Sequence, residues 1–121
     1  MIKSYRELNV WQKADKLALD VYQLSDGFPK KYLYDLTSQL RRAALSVPTN
    51  LAEGCASPHS GELLQFINIS RRSLSETRYL VEFAGKLNLI SPEKVTDLDR
   101  LCAEIGKMLA ALTRSIKRQK E

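Results

Sequence analysis

Leu36-Thr37-Ser38-Gln39-Leu40-Arg41-Arg42-Ala43-Ala44-Leu45-Ser46-Val47-Pro48-Thr49-Asn50-Leu51-Ala52-Glu53-Gly54 is the stretch on which the reading of the chain turns. Together with Leu33, its apolar residues Leu36, Leu40, Ala43, Val47 and Leu51 recur by threes and fours. That is the period of a helix with one buried face. The spacing predicts a helix over 34–54. Pro48 removes one backbone donor and crowds the carbonyl four residues back, so a bend is expected there and not a stop.

The same period extends outward on both sides. Val10, Ala14, Leu17, Val21 and Leu24 predict a helix over 5–25, with Ser4 and Glu7 spaced as a capping box ahead of them. Ser57-Pro58 places a capping hydroxyl before a proline at a first helical position and opens a helix over 58–89. Ser91-Pro92-Glu93 repeats the device for a helix over 92–118, whose seam is Leu98, Cys102, Ile105, Leu109, Leu112 and Ile116. No segment sustains a period of two. Long amphipathic helices with short connections pack against antiparallel neighbours. The expected fold is therefore all-α, an antiparallel up-down four-helix bundle forming a single domain over 1–121.

Composition bounds the class. The chain has 121 residues, 44% apolar, with 19 Lys or Arg against 14 Asp or Glu, for a net charge of +5. These values exclude a disordered tail and a disulfide-stapled mini-protein. No apolar run reaches the roughly 18 residues of a membrane span. Met1-Ile2-Lys3-Ser4-Tyr5-Arg6 lacks the apolar core of a secretory signal, so a cytoplasmic location is expected, with no membrane partner. Cys55 and Cys102 stand far apart with no second cysteine near either, and read as reduced structural thiols.

On a helical wheel the third helix has a low-polarity arc about 160° wide, more than one core requires. Ile67, Leu74 and Val81 mark one edge, Phe66, Leu80 and Leu87 another, with Ile69 and Phe83 beyond. Ser70, Ser73, Thr77 and Ala84 lie between them and would admit a second backbone closely. Such an arc favours self-association through Phe66, Ile69, Leu80, Phe83 and Leu87, the alternative being a central helix fully covered within one chain.

Catalytic chemistry has little to stand on, and no enzyme activity, metal or cofactor is expected. His59 is the only histidine and falls in a connection, which leaves no pair of helical Glu-x-x-His motifs and no nucleophile–histidine pair on a helix. No glycine-rich phosphate loop occurs. Two polar constellations remain. Gln39, Arg42, Ser46, Asn50 and Glu53 step along the second helix, and Glu76 stands within the arc of the third. A carboxylate there needs a donor such as Arg42 or Asn50. This set is either an inter-helix hydrogen-bond network or a ligand pocket around Asn50, Glu53 and Glu76. The second constellation is basic: Arg71, Arg72 and Arg78 on the third helix, then Arg100, Lys107 and Arg114 every seven residues on the fourth, followed by Lys117 and Arg118. Arrays of this kind bind RNA or DNA by displacing condensed counterions from phosphates. The plainer alternative is a solvated helix face.

The run from Leu36 to Ala44, with Ser46-Val47-Pro48-Thr49-Asn50-Leu51-Ala52-Glu53-Gly54, resembles the signature of a bacterial four-helix-bundle family. Its members include proteins encoded in intervening sequences of 23S rRNA genes and the accessory variability determinant of diversity-generating retroelements. Leu8-Asn9-Val10-Trp11-Gln12-Lys13-Ala14, Phe28-Pro29-Lys30 and Ser73-Leu74-Ser75-Glu76 extend the likeness over nearly the whole chain. Two departures stand out: Asp35 where relatives usually carry glycine, and Arg71-Arg72 where they usually carry small residues. The resemblance implies a non-enzymatic homo-oligomer, typically a barrel-like pentamer. For the retroelement member it also implies contact with nucleic acid and a reverse transcriptase. Gln39, Arg42, Asn50, Glu53 and Glu76 then read as the family's structural network. Function is accordingly expected to be nucleic-acid binding or an accessory role, the rival being a protein-only scaffold or adaptor.

Overall fold

A computed structural model describes residue 2 and residues 4–120. The described residues form four α-helices and no strand: α1 Asn9–Ser25, α2 Ser38–Ala56, α3 Ser60–Lys86 and α4 Pro92–Lys120. Each helix packs on its two neighbours in cyclic order, α1 on α2, α2 on α3, α3 on α4 and α4 back on α1, giving a four-helix bundle. The residues predicted from periodicity fill its centre: Leu17, Leu40, Leu51, Ile67, Leu98, Ile105 and Leu109 are fully buried.

The helix ends differ from the sequence reading in instructive ways. Ser4 does cap, accepting from the Arg6 N–H at 3.2 Å, but the turn it caps is a separate 3-10 turn over Tyr5–Glu7. Leu8 is extended, and α1 begins only at Asn9. The break lets the Tyr5 ring fold back against Trp11, 4.7 Å between centroids, while the Trp11 indole N–H donates to the Pro48 carbonyl at 3.2 Å. The lead-in to α2 is likewise irregular, a 3-10 turn over Lys30–Tyr32 and a π turn over Leu33–Thr37. In that lead-in the Thr37 hydroxyl is buried without a partner among the described residues.

Pro48 sits inside α2, and the helix runs on through it. Side chains just after it bond carbonyls of the preceding turn. The Thr49 hydroxyl donates to Leu45 O and the Asn50 amide to Ser46 O, each at 2.8 Å. The Thr-Asn pair thus adds side-chain bonds to the turn that precedes the proline, while the Pro48 donor to Ala44 O stays missing.

Ser57-Pro58 does not open α3. Ser57 terminates α2, and His59 occupies the N-cap of α3. The Ser57 hydroxyl accepts from His59 N–H at 3.1 Å and donates to Glu62 at 2.8 Å, bracing the connection instead. At its other end α3 stops three residues before the predicted limit. Asn88 adopts a left-handed φ of 62°, Asn88 N–H reaches Gly85 O, and Leu89 N–H reaches Ala84 O at 3.0 Å. That pair of bonds is a Schellman closure, for which asparagine is the residue that tolerates the conformation after glycine. Ser91 caps α4 through the Lys94 N–H at 3.2 Å.

Candidate nucleic-acid interface

Helix α3 builds two different surfaces, one against α2 and one against α4. On the α2 side its small residues are consumed within the chain. Ser70, Thr77 and Ala84 are fully buried. The Ser70 hydroxyl donates to Val47 O at 2.9 Å, the Thr77 hydroxyl to Ser73 O at 2.8 Å, and the Ser73 and Ser46 hydroxyls share a 2.8 Å bond. Asn50 Nδ2 completes the chain by donating to the Ser46 hydroxyl at 2.8 Å. The backbone that these small residues admit is therefore α2 of the same molecule, which corrects the expectation that they await a second copy.

The predicted polar network is only partly assembled. Ser46 and Asn50 belong to it, and Gln39 donates to Glu76 at 3.1 Å on its exposed rim. Arg42 and Glu53 are exposed, with no hydrogen bond or ion pair among the described residues. Glu76 meets neither Arg42 nor Asn50. Glu53, lying in solvent, is thus no buried carboxylate in need of a donor, and Glu53→Ala is expected to change stability by less than about 0.5 kcal/mol. The unforeseen structural arginine is Arg41. Its Nε donates to Ser25 Oγ at 2.7 Å and its Nη2 to Tyr22 O at 3.1 Å, closing the C-terminal end of α1 with a cation where the helix dipole favours one.

On the α4 side, Asn68, Arg71, Ser75 and Arg78 follow each other by threes and fours and form one wall of an open groove. Arg72 adds a third cation to that wall, and Lys107 rises from α4 opposite. Between the walls, Ala103, Gly106 and Ala110 make a low floor with Leu74, about 670 Å³ in all. Gly106 keeps it low, since a Cβ there would meet only Leu74 Cδ2, at 3.6 Å. No carboxylate lines this groove.

Four of the predicted cations, Arg71, Arg72, Arg78 and Lys107, are thus brought together. The rest are not. Arg100 faces the hollow between α1 and α4, where Asp20, Asp97 and Glu104 alternate with Lys16 and Lys94 and which Lys107 also borders, and its guanidinium stands 4.0 Å from Asp97. Lys13 pairs with Glu104 at 3.3 Å on the same side. The seven-residue basic stripe on α4 is therefore interrupted by acids one turn away. Arg114, Lys117 and Arg118 are exposed on the last turns of α4, and the Lys120 side chain lies outside the described atoms.

Arg78 differs from its neighbours. Its Nε and Nη2 donate to the two oxygens of Asp99, the second at 3.0 Å. The hydrogen bond holds the Asp99 carboxyl below its usual range and raises Arg78. Beneath this pair, burial pushes the Cys102 thiol up to about 11; Cys55, half-buried at the end of α2, is also raised by burial. Neither thiol is activated as a nucleophile.

The expected interface residues divide as well. Leu80 is 7% exposed and belongs to the core, so it is removed from any outer face. Phe66 packs toward Gly54, where an added Cβ would lie 2.9 Å from Phe66 Cβ, and Ile69 is half-buried. Phe83 and Leu87 remain outside at 40% and 37% exposure, joined by Tyr79 at 57%, whose ring lies 6.3 Å from that of Phe83.

Fold and surface together define a small helical-bundle protein whose distinguishing feature is a basic inter-helix groove. The family described as 23S rRNA-intervening sequence protein matches residues 6–111, and the chain belongs to that family. Among solved structures it is similar to a protein of unknown function from the S23 ribosomal protein family of Bacteroides thetaiotaomicron VPI-5482. The TM-score is 0.80 at 20% identity, over 87% of this chain and 95% of that one. No curated protein sequence matches the chain. No helix is long and apolar enough to cross a membrane among the described residues.

Proposed function

We propose that the protein is a non-catalytic, self-associating bundle that binds nucleic acid through the groove between α3 and α4. One observation carries the reading: Arg71, Arg72 and Lys107 converge on a single trough with no carboxylate in its lining, and Arg78, paired with Asp99, stands at its edge. On a chain of net charge +5 with 14 acids, three cations around one trough, Arg71, Arg72 and Lys107, concentrate positive potential where the overall balance is modest. Arg71-Arg72, the departure from the family pattern, lies in this trough.

Phosphate contacts made here release counterions, so affinity falls steeply with salt. Fluorescence anisotropy with a labelled generic RNA or DNA from about 50 to 200 mM salt measures the slope. Replacing Arg71, Arg72 and Lys107 together by Gln is expected to reduce that slope by about 2 to 3 while leaving the melting temperature in place. Affinity that barely changes over that salt range, or a slope indifferent to the triple replacement, refutes phosphate binding in the groove and favours a protein-only scaffold.

Self-association is supported by Tyr79, Phe83 and Leu87, three large side chains exposed on the last turns of α3. The assembly proposed is a homopentamer, by resemblance to the family, which would place +25 on one object. Light scattering at micromolar protein is expected to give several times the 13.7 kDa of one chain, and Phe83→Glu to return it to that mass. A mass of 13.7 kDa for the unaltered protein rules the assembly out.

A further inference from the structure

Resting on the nucleic-acid reading above, we infer that the groove takes a single strand, one unstacked base lying on the flat face of the Arg78 guanidinium while Arg71, Arg72 and Lys107 hold the adjacent phosphates. The inference comes from how Arg78 is held. A surface arginine ordinarily has its long side chain free to rotate. Here two donors on one edge of the guanidinium are bound by the two oxygens of Asp99, which fixes the plane. The pair is about half exposed, so the cation is neutralised as a phosphate ligand and retained as a rigid planar surface.

Its position suits that role. Arg78 stands on the boundary between the basic groove and a second, smaller hollow of about 270 Å³. The smaller hollow has Val81, Val95, Leu98 and Cys102 as apolar lining and Thr96, Glu82 and the paired Asp99 as polar groups. A base lying on Arg78 there would meet apolar carbon below and hydrogen-bonding groups at its edge. The phosphates on either side would lie toward Arg71, Arg72 and Lys107, away from Asp99 and Glu82. Arg71 and Arg78 are seven residues apart on one helix, about 10 Å along its axis, and lie on nearly the same face. One cation and one platform at that separation fit a short stretch of extended strand.

A duplex cannot use this arrangement. Neighbouring helices in a bundle lie about 8 to 10 Å apart, so the trough between them is far narrower than a double helix. A duplex would touch its rim with phosphates alone, and its bases would stay stacked. Guanidinium planes stack on exposed bases in single-stranded complexes, where each stacked base contributes substantially to affinity.

The test compares a labelled 12-nucleotide oligo(U) strand with a 12-base-pair RNA duplex on the full chain, for the parent protein, Arg78→Lys and Asp99→Ala. Arg78→Lys keeps the charge and removes the plane. It is expected to weaken oligo(U) binding by roughly tenfold and duplex binding by less than twofold. Asp99→Ala raises the net charge by one and releases the guanidinium. Simple electrostatics then predicts tighter binding of both probes, whereas a fixed platform predicts weaker binding of oligo(U) and tighter binding of duplex. Circular dichroism melts confirm that both variants fold. Equal losses on both probes, or an oligo(U) affinity that Arg78→Lys leaves unchanged, overturn the platform while leaving nucleic-acid binding intact. Absence of binding to either probe by the parent protein overturns both.

Discussion

The two flanks of α3 use similar small residues to opposite ends. Toward α2, Ser70, Ser73, Thr77 and Ala84 meet a partner whose own facing residues are small or apolar, and the helices close into a sealed, hydrogen-bonded seam. Toward α4, the small residues Ala103, Gly106 and Ala110 belong to the other helix and face long arginines that stand outward. The same smallness that closes the first contact leaves the second open as a floor. A run of small residues therefore says that something can come near; what comes near is set by the length and charge of the side chains opposite.

The contrast can be broken most forcefully at Gly54. An added Cβ there lies 2.9 Å from Phe66 Cβ and 3.0 Å from Leu63 Cδ1, so Gly54→Val should destabilise the bundle by on the order of 3 kcal/mol. A urea midpoint that stays in place would show that the seam is not closed. Next in size is Ser70→Ala, which removes the bond to Val47 O inside the seam; about 1 kcal/mol should be lost, read in the same titration. Gly106→Ala carries the opposite sign. Its Cβ enters open space and ordinary contact with Leu74, so the usual gain from replacing a helical glycine, up to about 1 kcal/mol, should appear as a higher melting temperature. Loss of stability at Gly106 would mean that the groove floor is as tightly packed as the seam.

The smallest effect belongs to the exposed Arg78–Asp99 pair. Because the hydrogen bond lowers the folded carboxyl, its contribution is present above the ordinary Asp value and is lost as pH falls through the lowered one. Melting temperatures of the parent and Asp99→Asn should differ by a constant small amount from about pH 5 to 8 and converge only as pH falls below the lowered Asp99 value. A difference that grows between pH 5 and 8 would assign the effect to another group.

Much of this was legible in the chain and some was misread for identifiable reasons. The buried faces of all four helices follow from spacing, since an apolar residue every three or four positions can be covered only on one side. The helix ends were harder. Ser4 and Ser57 carry the right capping chemistry, yet each serves a short turn beside the helix, because a hydroxyl can satisfy any nearby N–H and spacing does not say which. Asn88 ended α3 by a backbone conformation that a wheel does not register. A helical wheel gives direction but not distance, so it places Leu80 on an outer face with Phe83 and Leu87; the bundle buries Leu80 and the small residues Ser70, Thr77 and Ala84 and leaves Phe83 and Leu87 outside. Arg41 and Arg42 show the same limit from the polar side: adjacent and chemically alike, one closes the end of α1 and the other lies in solvent.

Spacing of apolar residues along one chain is a local property, and it was enough to set four helices, their inward faces and the up-down order imposed by short connections. The convergence of Arg71, Arg72, Arg78 and Lys107, the loss of Arg100 to an acidic surround and the locking of Arg78 by Asp99 are properties of pairs from different helices. They depend on the rotation and approach of α3 against α4. Packing across the whole core sets that geometry, which no single helix encodes. Seven-residue repetition makes the α4 cations look equivalent; the neighbouring helices give Arg100 an acidic surround and set Lys107 between that hollow and the groove.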